Sequence, residues 1–344
     1  MKSTRRLVIS GLGAALAGCG GRVEKPAQLT RLDTDRLSAE FPKLAARAAP
    51  AQLGLGVCLI GLAKAWASDP TSRFPMQSVF KAPMAAAVLS EVDAGRLKLS
   101  EPITLTELDL SPPFSAIDQA WPTPPDHHSL TLPVIDLLAL ALQRSDNTAA
   151  DVIMKRIGGP GAVNAWLNGK SLGDIRVDRY ERELQQDVAG MPPFEPAWKD
   201  ERAWLAARDA VAAPLREAAM TAYLADPRDT ATLLASLDFL SRLARSDLIS
   251  PASTRLMMRL MTTSLTGATR LKAGLPAGAS LAHKTGSART DLGFTPATND
   301  IGVVTLKNGG RLAIAAFLAG STATEAQRDT LIADAARLAV SCVG

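Results

Sequence analysis

Apolar positions along this chain follow two different periods. Between residues 30 and 48, Leu32, Leu37, Phe41 and Leu44 recur at helical spacing and predict an amphipathic helix. Leu53, Leu55, Val57 and Leu59 then alternate, with Gly54 and Gly56 between them, which predicts a strand. Lys64 to Ala67 suits its hairpin partner, before the turn at Asp69-Pro70. The run Met84-Ala85-Ala86-Ala87-Val88-Leu89 predicts a helix reaching about Ala94-Gly95. Residues 100–129 carry Pro112, Pro113, Pro122, Pro124 and Pro125 and read as loop. Helices follow over Pro133 to Leu142 and Thr148 to Ile157, the second stopped by Gly158-Gly159-Pro160, with a short one over Ala162 to Leu167.

The later half keeps the helical period and then changes. Val177 to Gln186 is polar and reads as irregular; Met191 to Pro196 is a loop. Arg202 to Tyr223 reads as one or two helices and Asp226 to Met261 as helical again. Ser280 to Lys284, Ile301 to Leu306 and Leu312 to Leu318 then read as strands, with Lys307-Asn308-Gly309-Gly310 as a hairpin turn. Thr324 to Val340 closes the chain as a helix. Strands thus flank a long helical middle. The economical arrangement is an α+β fold: one antiparallel sheet drawn from both chain ends, covered by helices, with a mostly helical lobe inserted. A site is expected where the lobes meet.

Composition changes this picture only at the start of the chain. The 344 residues are 47% hydrophobic and 21% charged, a globular balance. Of the formal net charge of +4, Lys2, Arg5 and Arg6 supply most, so charge gives no reason to expect a nucleic-acid partner. That basic start precedes the apolar stretch Leu7 to Leu16, too short to span a bilayer, and then Leu16-Ala17-Gly18-Cys19. The segment resembles a bacterial lipoprotein signal, in which cleavage precedes an acylated cysteine; Thr4-Arg5-Arg6-Leu7-Val8 also resembles a twin-arginine export signal. The organisation expected is a signal peptide over 1–19 with lipid attachment at Cys19, a linker over 20–30 and a catalytic domain over 31–344. The protein is then exported and lipid-anchored on the periplasmic side, or soluble there if Cys19 is not acylated. Cys58 and Cys342 sit in apolar runs and are expected as free thiols. His127-His128 are adjacent and cannot share a face, so no metal site is expected.

Candidate chemistry lies in Gln77-Ser78-Val79-Phe80-Lys81. At a helix start, residues three apart share a face, so the Lys81 amine can lie beside the Ser78 hydroxyl, and Pro83 is tolerated there. A serine needs such a base to become a nucleophile. Ser-x-x-Lys alone is weak, with roughly one chance match expected in a chain this long. Ser145-Asp146-Asn147 and Lys284-Thr285-Gly286 follow in order, each a match expected by chance at the level of about a few per cent.

Together these three motifs resemble the penicillin-recognising serine hydrolases. Asp178-Arg179-Tyr180-Glu181-Arg182-Glu183-Leu184-Gln185 resembles the omega loop of class A β-lactamases, and Asp226-Pro227-Arg228-Asp229-Thr230 the segment that closes it. The resemblance implies a three-layer α/β/α fold with a five-stranded antiparallel sheet. It implies hydrolysis of β-lactam antibiotics by a monomer without a cofactor, with water as co-substrate. Ser78 would attack the strained amide and form an acyl-enzyme. Lys81, or Glu181 through a water, would be the base for that step. Ser145 would pass a proton to the leaving nitrogen, and Asn147 would hold the substrate's side-chain amide and Lys81. Lys284 and Thr285 of the Lys-Thr-Gly286 strand would meet the substrate carboxylate, and the N–H groups of Ser78 and Ser287 the oxyanion. Glu181 would then activate the deacylating water. An ion pair between Arg179 and Asp229 would hold the base of the loop.

Several residues depart from the family pattern. Gln185 stands where asparagine usually helps hold the water, and Arg182 replaces a common proline. The usual arginine after Lys-Thr-Gly is not evident in Asn299-Asp300-Ile301-Gly302, and Arg270 falls where some members supply that charge. Residues 187–225 exceed the usual connection. The shared motifs leave two alternatives open: a D-alanyl-D-alanine peptidase, which normally lacks the glutamate loop, and a non-catalytic β-lactam sensor. His283 neighbours Lys284 on a strand, so the two point to opposite faces and a Ser-His-Asp triad is not expected. Trp121 and Trp166 read as packing residues.

Overall fold

In a computed structural model, residues 29–62, 64–119 and 129–344 are described. The expectations for residues 1–19, including Cys19, and for Trp121 and His127-His128 fall outside that range. In chain order the elements are α1 (Thr34–Ala46), β1 (Gln52–Leu59), β2 (Ala65–Ala67), β3 (Arg73–Pro75), α2 (Lys81–Asp93), β4 (Pro102–Thr106), α3 (Ala116–Gln119), β5 (Ser129–Pro133), α4 (Val134–Ala139), α5 (Asn147–Arg156) and α6 (Gly159–Gly169). They continue with α7 (Glu181–Ala189), α8 (Glu201–Ala210), α9 (Ala213–Ala225), β6 (Thr230–Thr232), α10 (Leu233–Ala244), α11 (Pro251–Thr262), β7 (Ser280–Ser287), β8 (Thr295–Thr305), β9 (Arg311–Ser321) and α12 (Glu325–Ser341).

Five strands form one antiparallel sheet in the order β2-β1-β9-β8-β7. The two ends of the chain meet at its centre, where Gln52 pairs with Ala319 and Leu59 with Leu312. Side chains alternate across a strand. Leu53, Leu55, Val57 and Leu59 therefore share one face, packed with Leu37, Phe41, Leu44, Ile332 and Ala336 of α1 and α12. The other face of β1 is also buried, and glycine makes that possible: a Cβ on Gly54 would lie 2.4 Å from the Phe74 ring, which stacks on Phe317. The sheet is thus the middle of three layers, with α2, α10 and α11 in the core on its second face.

That second core continues into the helical lobe. Every residue of α2 from Lys81 to Leu89 is buried, so this helix is the shared spine of both lobes. Cys58 and Cys342 are free and buried, as the sequence suggested, and lie in different cores. Trp166 packs, partly buried, against the lobe core.

The structure corrects four local readings. The three-residue strands β3 and β6 pair with each other, although the sequence showed no strand at either. The proline-rich stretch contains β4, which pairs with β5. The helix expected to begin at Pro133 starts at Val134 and ends in a π-helical turn over Leu140–Arg144. Finally, the stretch read as irregular carries α7 from Glu181 onward. Its buried residues include Glu181, Gln185 and Gln186, so polar side chains face inward and erase the apolar period.

Candidate active site

Ser78 lies in a 3₁₀ turn, Gln77–Phe80, that runs directly into α2 rather than in the first turn of the α-helix itself. The turn is fastened to the sheet from both sides. Asn299 on β8 donates its amide to the carbonyls of Pro75 and Met76 at 2.8 and 3.0 Å. β7 approaches so closely that a Cβ on Gly286 would lie 2.2 Å from the Met76 carbonyl oxygen. Only glycine allows the third motif to press against the segment that carries Ser78. β7 is also an edge strand. The Ala288 N–H is engaged by Ala297 on β8, and N–H groups alternate in direction along a strand, so the Ser287 N–H faces the open edge.

Lys81 is fully buried, and three oxygens surround its ammonium: Ser145 O at 2.7 Å, Asn147 Oδ1 at 2.7 Å and Glu181 Oε1 at 2.9 Å. Three donors thus meet three acceptors. Ser78 Oγ makes its hydrogen bond elsewhere, donating to Glu181 Oε1 at 2.7 Å. Ser78 and Lys81 share a carboxylate, where the sequence suggested that they would face each other. Burial alone would raise the Glu181 carboxyl, but the Lys81 charge and hydrogen bonds from Ser78, Lys81 and Gln185 outweigh it and hold the group below the usual carboxylate value.

The Ser-Asp-Asn motif forms a strained corner. Ser145 has a left-handed φ of 59° after the π-helical turn, which aims its carbonyl at Lys81 while its Oγ accepts from Lys284 Nζ at 2.8 Å. Asp146 holds the corner as N-cap of α5, accepting from Ala149 N at 2.8 Å and from Ile117 N at 3.0 Å. Asn147 completes its amide pairing by donating to Pro113 O at 2.6 Å. Lys284 is fully buried, and burial, with the nearby Lys81 charge, pushes its ammonium well below the ordinary lysine value.

Arg270 reaches the same strand. Its Nη2 donates to Ser287 Oγ at 2.8 Å and its Nη1 to Asn299 O at 3.1 Å, while Nε pairs with Asp329 at 2.8 Å. Thr285 Oγ1 lies 2.7 Å from Thr266 Oγ1. His283 turns away from Lys284 and pairs with Asp300 at 2.9 Å.

Glu181 is the first residue of α7, and two anchors fix it there. Asp151 on α5 accepts the N–H groups of Glu181 and Arg182 at 2.7 and 3.0 Å. Burial pushes the Asp151 carboxyl up to about 6. The Glu181–Arg182 peptide is trans; the cis peptides among the described residues are Ala49-Pro50 and Pro112-Pro113. Arg179 and Asp229 form the ion pair expected at the base, at 2.6 Å. Gln185, one turn along, donates to Glu181 Oε2 at 3.0 Å and to Gln77 Oε1 at 3.1 Å, and Gln77 donates to the Tyr223 hydroxyl at 2.7 Å.

A sequence profile of the β-lactamase enzyme family matches residues 36–343. The chain belongs to that family. β-Lactamase VEB-1 from Pseudomonas aeruginosa is 32% identical over 77% of this chain and 76% of its own length. A β-lactamase structure from Chitinophaga pinensis superposes with a TM-score of 0.71 at 29% identity, covering 87% of this chain and 96% of that one. An ancestral (GNCA) class A β-lactamase gives a TM-score of 0.71 at 31% identity, covering 89% and 99%. This protein is a class A serine β-lactamase, and it hydrolyses the β-lactam ring.

In this β-lactamase, Ser78, Lys81, Ser145, Asn147, Glu181, Gln185 and Lys284 are joined by direct hydrogen bonds or ion pairs, and Thr285, Gly286, Ser287 and Arg270 lie along the adjoining strand edge. Sequence reasoning missed Gln77, Asp146, Asp151, Tyr223, Thr266 and Asn299. A weak signal existed for two of them: Gln77 directly precedes the nucleophile, and Asp146 lies inside a motif. The others have common residue types, and only the fold brings them near.

Proposed function

We propose that Glu181 is the base in both halves of turnover, with Lys81 as its fixed counter-charge. The observation that supports this most is the 2.7 Å hydrogen bond from Ser78 Oγ to Glu181 Oε1, beside a lysine whose donors are all engaged. In acylation the Ser78 proton passes to Glu181 as Oγ attacks the carbonyl carbon. The N–H groups of Ser78 and Ser287 receive the oxyanion. The carbon–nitrogen bond breaks as the ring nitrogen takes the Ser145 proton, and Lys284, already donating to Ser145, replaces it. The surplus proton on Glu181 then makes good the deficit on Lys284. In deacylation Glu181 takes a proton from water, the oxygen attacks the ester, the ester C–O bond breaks, and Glu181 returns that proton to the departing Ser78 Oγ. The substrate carboxylate is met by Lys284, Thr285 and the buried charge of Arg270, and its side-chain amide by Asn147. Gln185 holds Glu181 where water is activated. All these groups come from one chain, which supports action as a monomer.

The soluble form, lacking residues 1–19, is expected to turn over a chromogenic cephalosporin many times. Glu181→Ala is expected to lose turnover by roughly 10²- to 10⁴-fold, slowing acylation and slowing deacylation further still, so that an adduct on Ser78 builds up slowly and persists, visible by mass spectrometry after long incubation. Acylation without turnover in the parent protein, or unchanged turnover in Glu181→Ala, overturns the assignment. We also infer export with a lipid anchor at Cys19, from the residues of the leader. Cys19→Ser should then move activity from the membrane to the soluble periplasmic fraction; an unchanged distribution rules the anchor out.

A further inference from the structure

Glu181 has two oxygens with different surroundings. Oε1 is held by Ser78 and Lys81; Oε2 is held by Gln185 Nε2. From Gln185 a buried chain of amides continues through Gln77 to the Tyr223 hydroxyl, with links of 3.1 and 2.7 Å. Its direction is imposed from one end. An ionised carboxylate only accepts hydrogen bonds, so Gln185 must turn its NH₂ group towards Glu181. The same NH₂ group reaches Gln77, which must therefore present its oxygen, and the Gln77 NH₂ group is left to face Tyr223. Reversing either amide sets donor against donor or oxygen against carboxylate.

Two features mark this chain as more than filler. Gln77 has a left-handed φ of 48°, an uncommon and costly conformation for a residue other than glycine. It holds that conformation immediately before the nucleophile, with its side chain spanning from Gln185 to Tyr223. Tyr223 lies on α9, within the segment 187–225 that exceeds the usual connection. α9 packs against α7, and Tyr223 is buried in the main core. The segment thus delivers one hydroxyl to the far end of the amide chain.

We propose that Tyr223 is a positioning residue for deacylation, acting through Gln77 and Gln185 to hold the Glu181 carboxylate, and that this is what residues 187–225 contribute to the reaction. The proposal rests on Glu181 being the deacylating base. On this reading the second half-reaction is the sensitive one. Before acylation the Ser78 hydroxyl itself anchors Oε1. Once Ser78 is an ester, that hydrogen bond is gone, and the Gln185 contact on Oε2 carries more of the alignment. Misplacement of a catalytic group is costly in rate even when its chemistry is intact.

The test is Tyr223→Phe, which removes only the hydroxyl, and Gln77→Asn, which tolerates the left-handed backbone but is one methylene too short to span the gap. With a slowly hydrolysed cephalosporin, kcat of Tyr223→Phe should fall about tenfold, with KM falling in parallel, so that kcat/KM stays within about twofold. Quenched mass spectrometry should show the acyl-enzyme accumulating. In the Gln77→Asn background the Tyr223→Phe change should have no further effect. Equal losses in kcat and kcat/KM, an undiminished effect of Tyr223→Phe in that background, or an unchanged kcat each overturn the proposal. Glu181→Ala separates the two readings: if the adduct, once formed on long incubation, is hydrolysed as fast as in the parent, the deacylating-base assignment falls, whereas a persistent adduct there with no effect of Tyr223→Phe removes only the role of Tyr223.

Discussion

On one side of Ser78, two buried ammonium groups face oxygens of the Ser145–Asn147 corner and of β7: Lys81 against Ser145 O and Asn147 Oδ1, and Lys284 against Ser145 Oγ and Thr285 O. On the other side, one carboxylate ends a run of side-chain amides, from Glu181 through Gln185 and Gln77 to Tyr223. The cationic wall is drawn from three short motifs at fixed positions on α2, β7 and the Ser145 corner. The amide wall is drawn from α7, α9 and the residue before the nucleophile. Both walls are buried, and a buried charge is tolerated in each because it is paired. They differ in tolerance. A cation surrounded by carbonyls has few substitutes, whereas an amide run can be assembled in several ways. The family's usual asparagine at the Gln185 position would build the same wall differently.

Two buried carboxylates show what the cation contributes. Glu181 and Asp151 are near neighbours, yet the first is held below the usual value and the second pushed up to about 6. Both feel burial as the largest influence; Glu181 has Lys81 against it, and Asp151 has the Glu181 charge. Lys81→Met should therefore erase the contrast, and it carries the largest effect expected on the acylation step. Removing one member of a buried pair costs about 3–5 kcal/mol. The Glu181 carboxyl, now buried and uncompensated, should rise above its ordinary value and be protonated near neutrality. Acylation should fall by roughly 10²- to 10⁴-fold and recover partly as pH is raised, because the base must ionise. Stopped-flow acylation across pH measures this; a rate unchanged at pH 7 would mean that Lys81 does not set the charge of Glu181.

A smaller effect sharpens the other half of the contrast. The folded Asp151 binds its proton more tightly than the unfolded chain does, so between about pH 4 and 6 its contribution to stability falls as pH rises. Glu181 has the opposite sign: its contribution is present above the unfolded value and is lost as pH falls. Asp151→Asn keeps one acceptor for the two N–H groups at the start of α7 and should cost about 1 kcal/mol. It should also remove the falling slope. Denaturant unfolding at pH 4.5 and 6.5 would show the difference between variant and parent narrowing towards the higher pH; a difference independent of pH would place the Asp151 proton elsewhere.

The cationic wall was legible in the sequence and the amide wall largely was not. Ser78, Lys81, Ser145, Asn147 and Lys284 are dictated by chemistry, and their short spacings survive in a single sequence. Gln77 and Tyr223 are ordinary residue types whose meaning lies in a contact far along the chain. Glu181 and Gln185 were found by likeness to a known loop, while the helix carrying them was read as irregular because its polar side chains point inward. The same division holds for the fold. β1 announces itself by alternation, but the Thr295–Asp300 half of β8 is polar in sequence and buried throughout, and β3 and β6 have three residues each and exist because each finds the other.

The pairing of Gln52 with Ala319 at the centre of the sheet has a consequence for biogenesis. β1 is made well before its partner β9, so the central pair of strands cannot form until the helical lobe between them has been synthesised. Contacts this remote in sequence form slowly, because a long loop must be closed before they return any free energy. Until then the chain lacks its central pair of strands, and commitment to the folded state waits for β9.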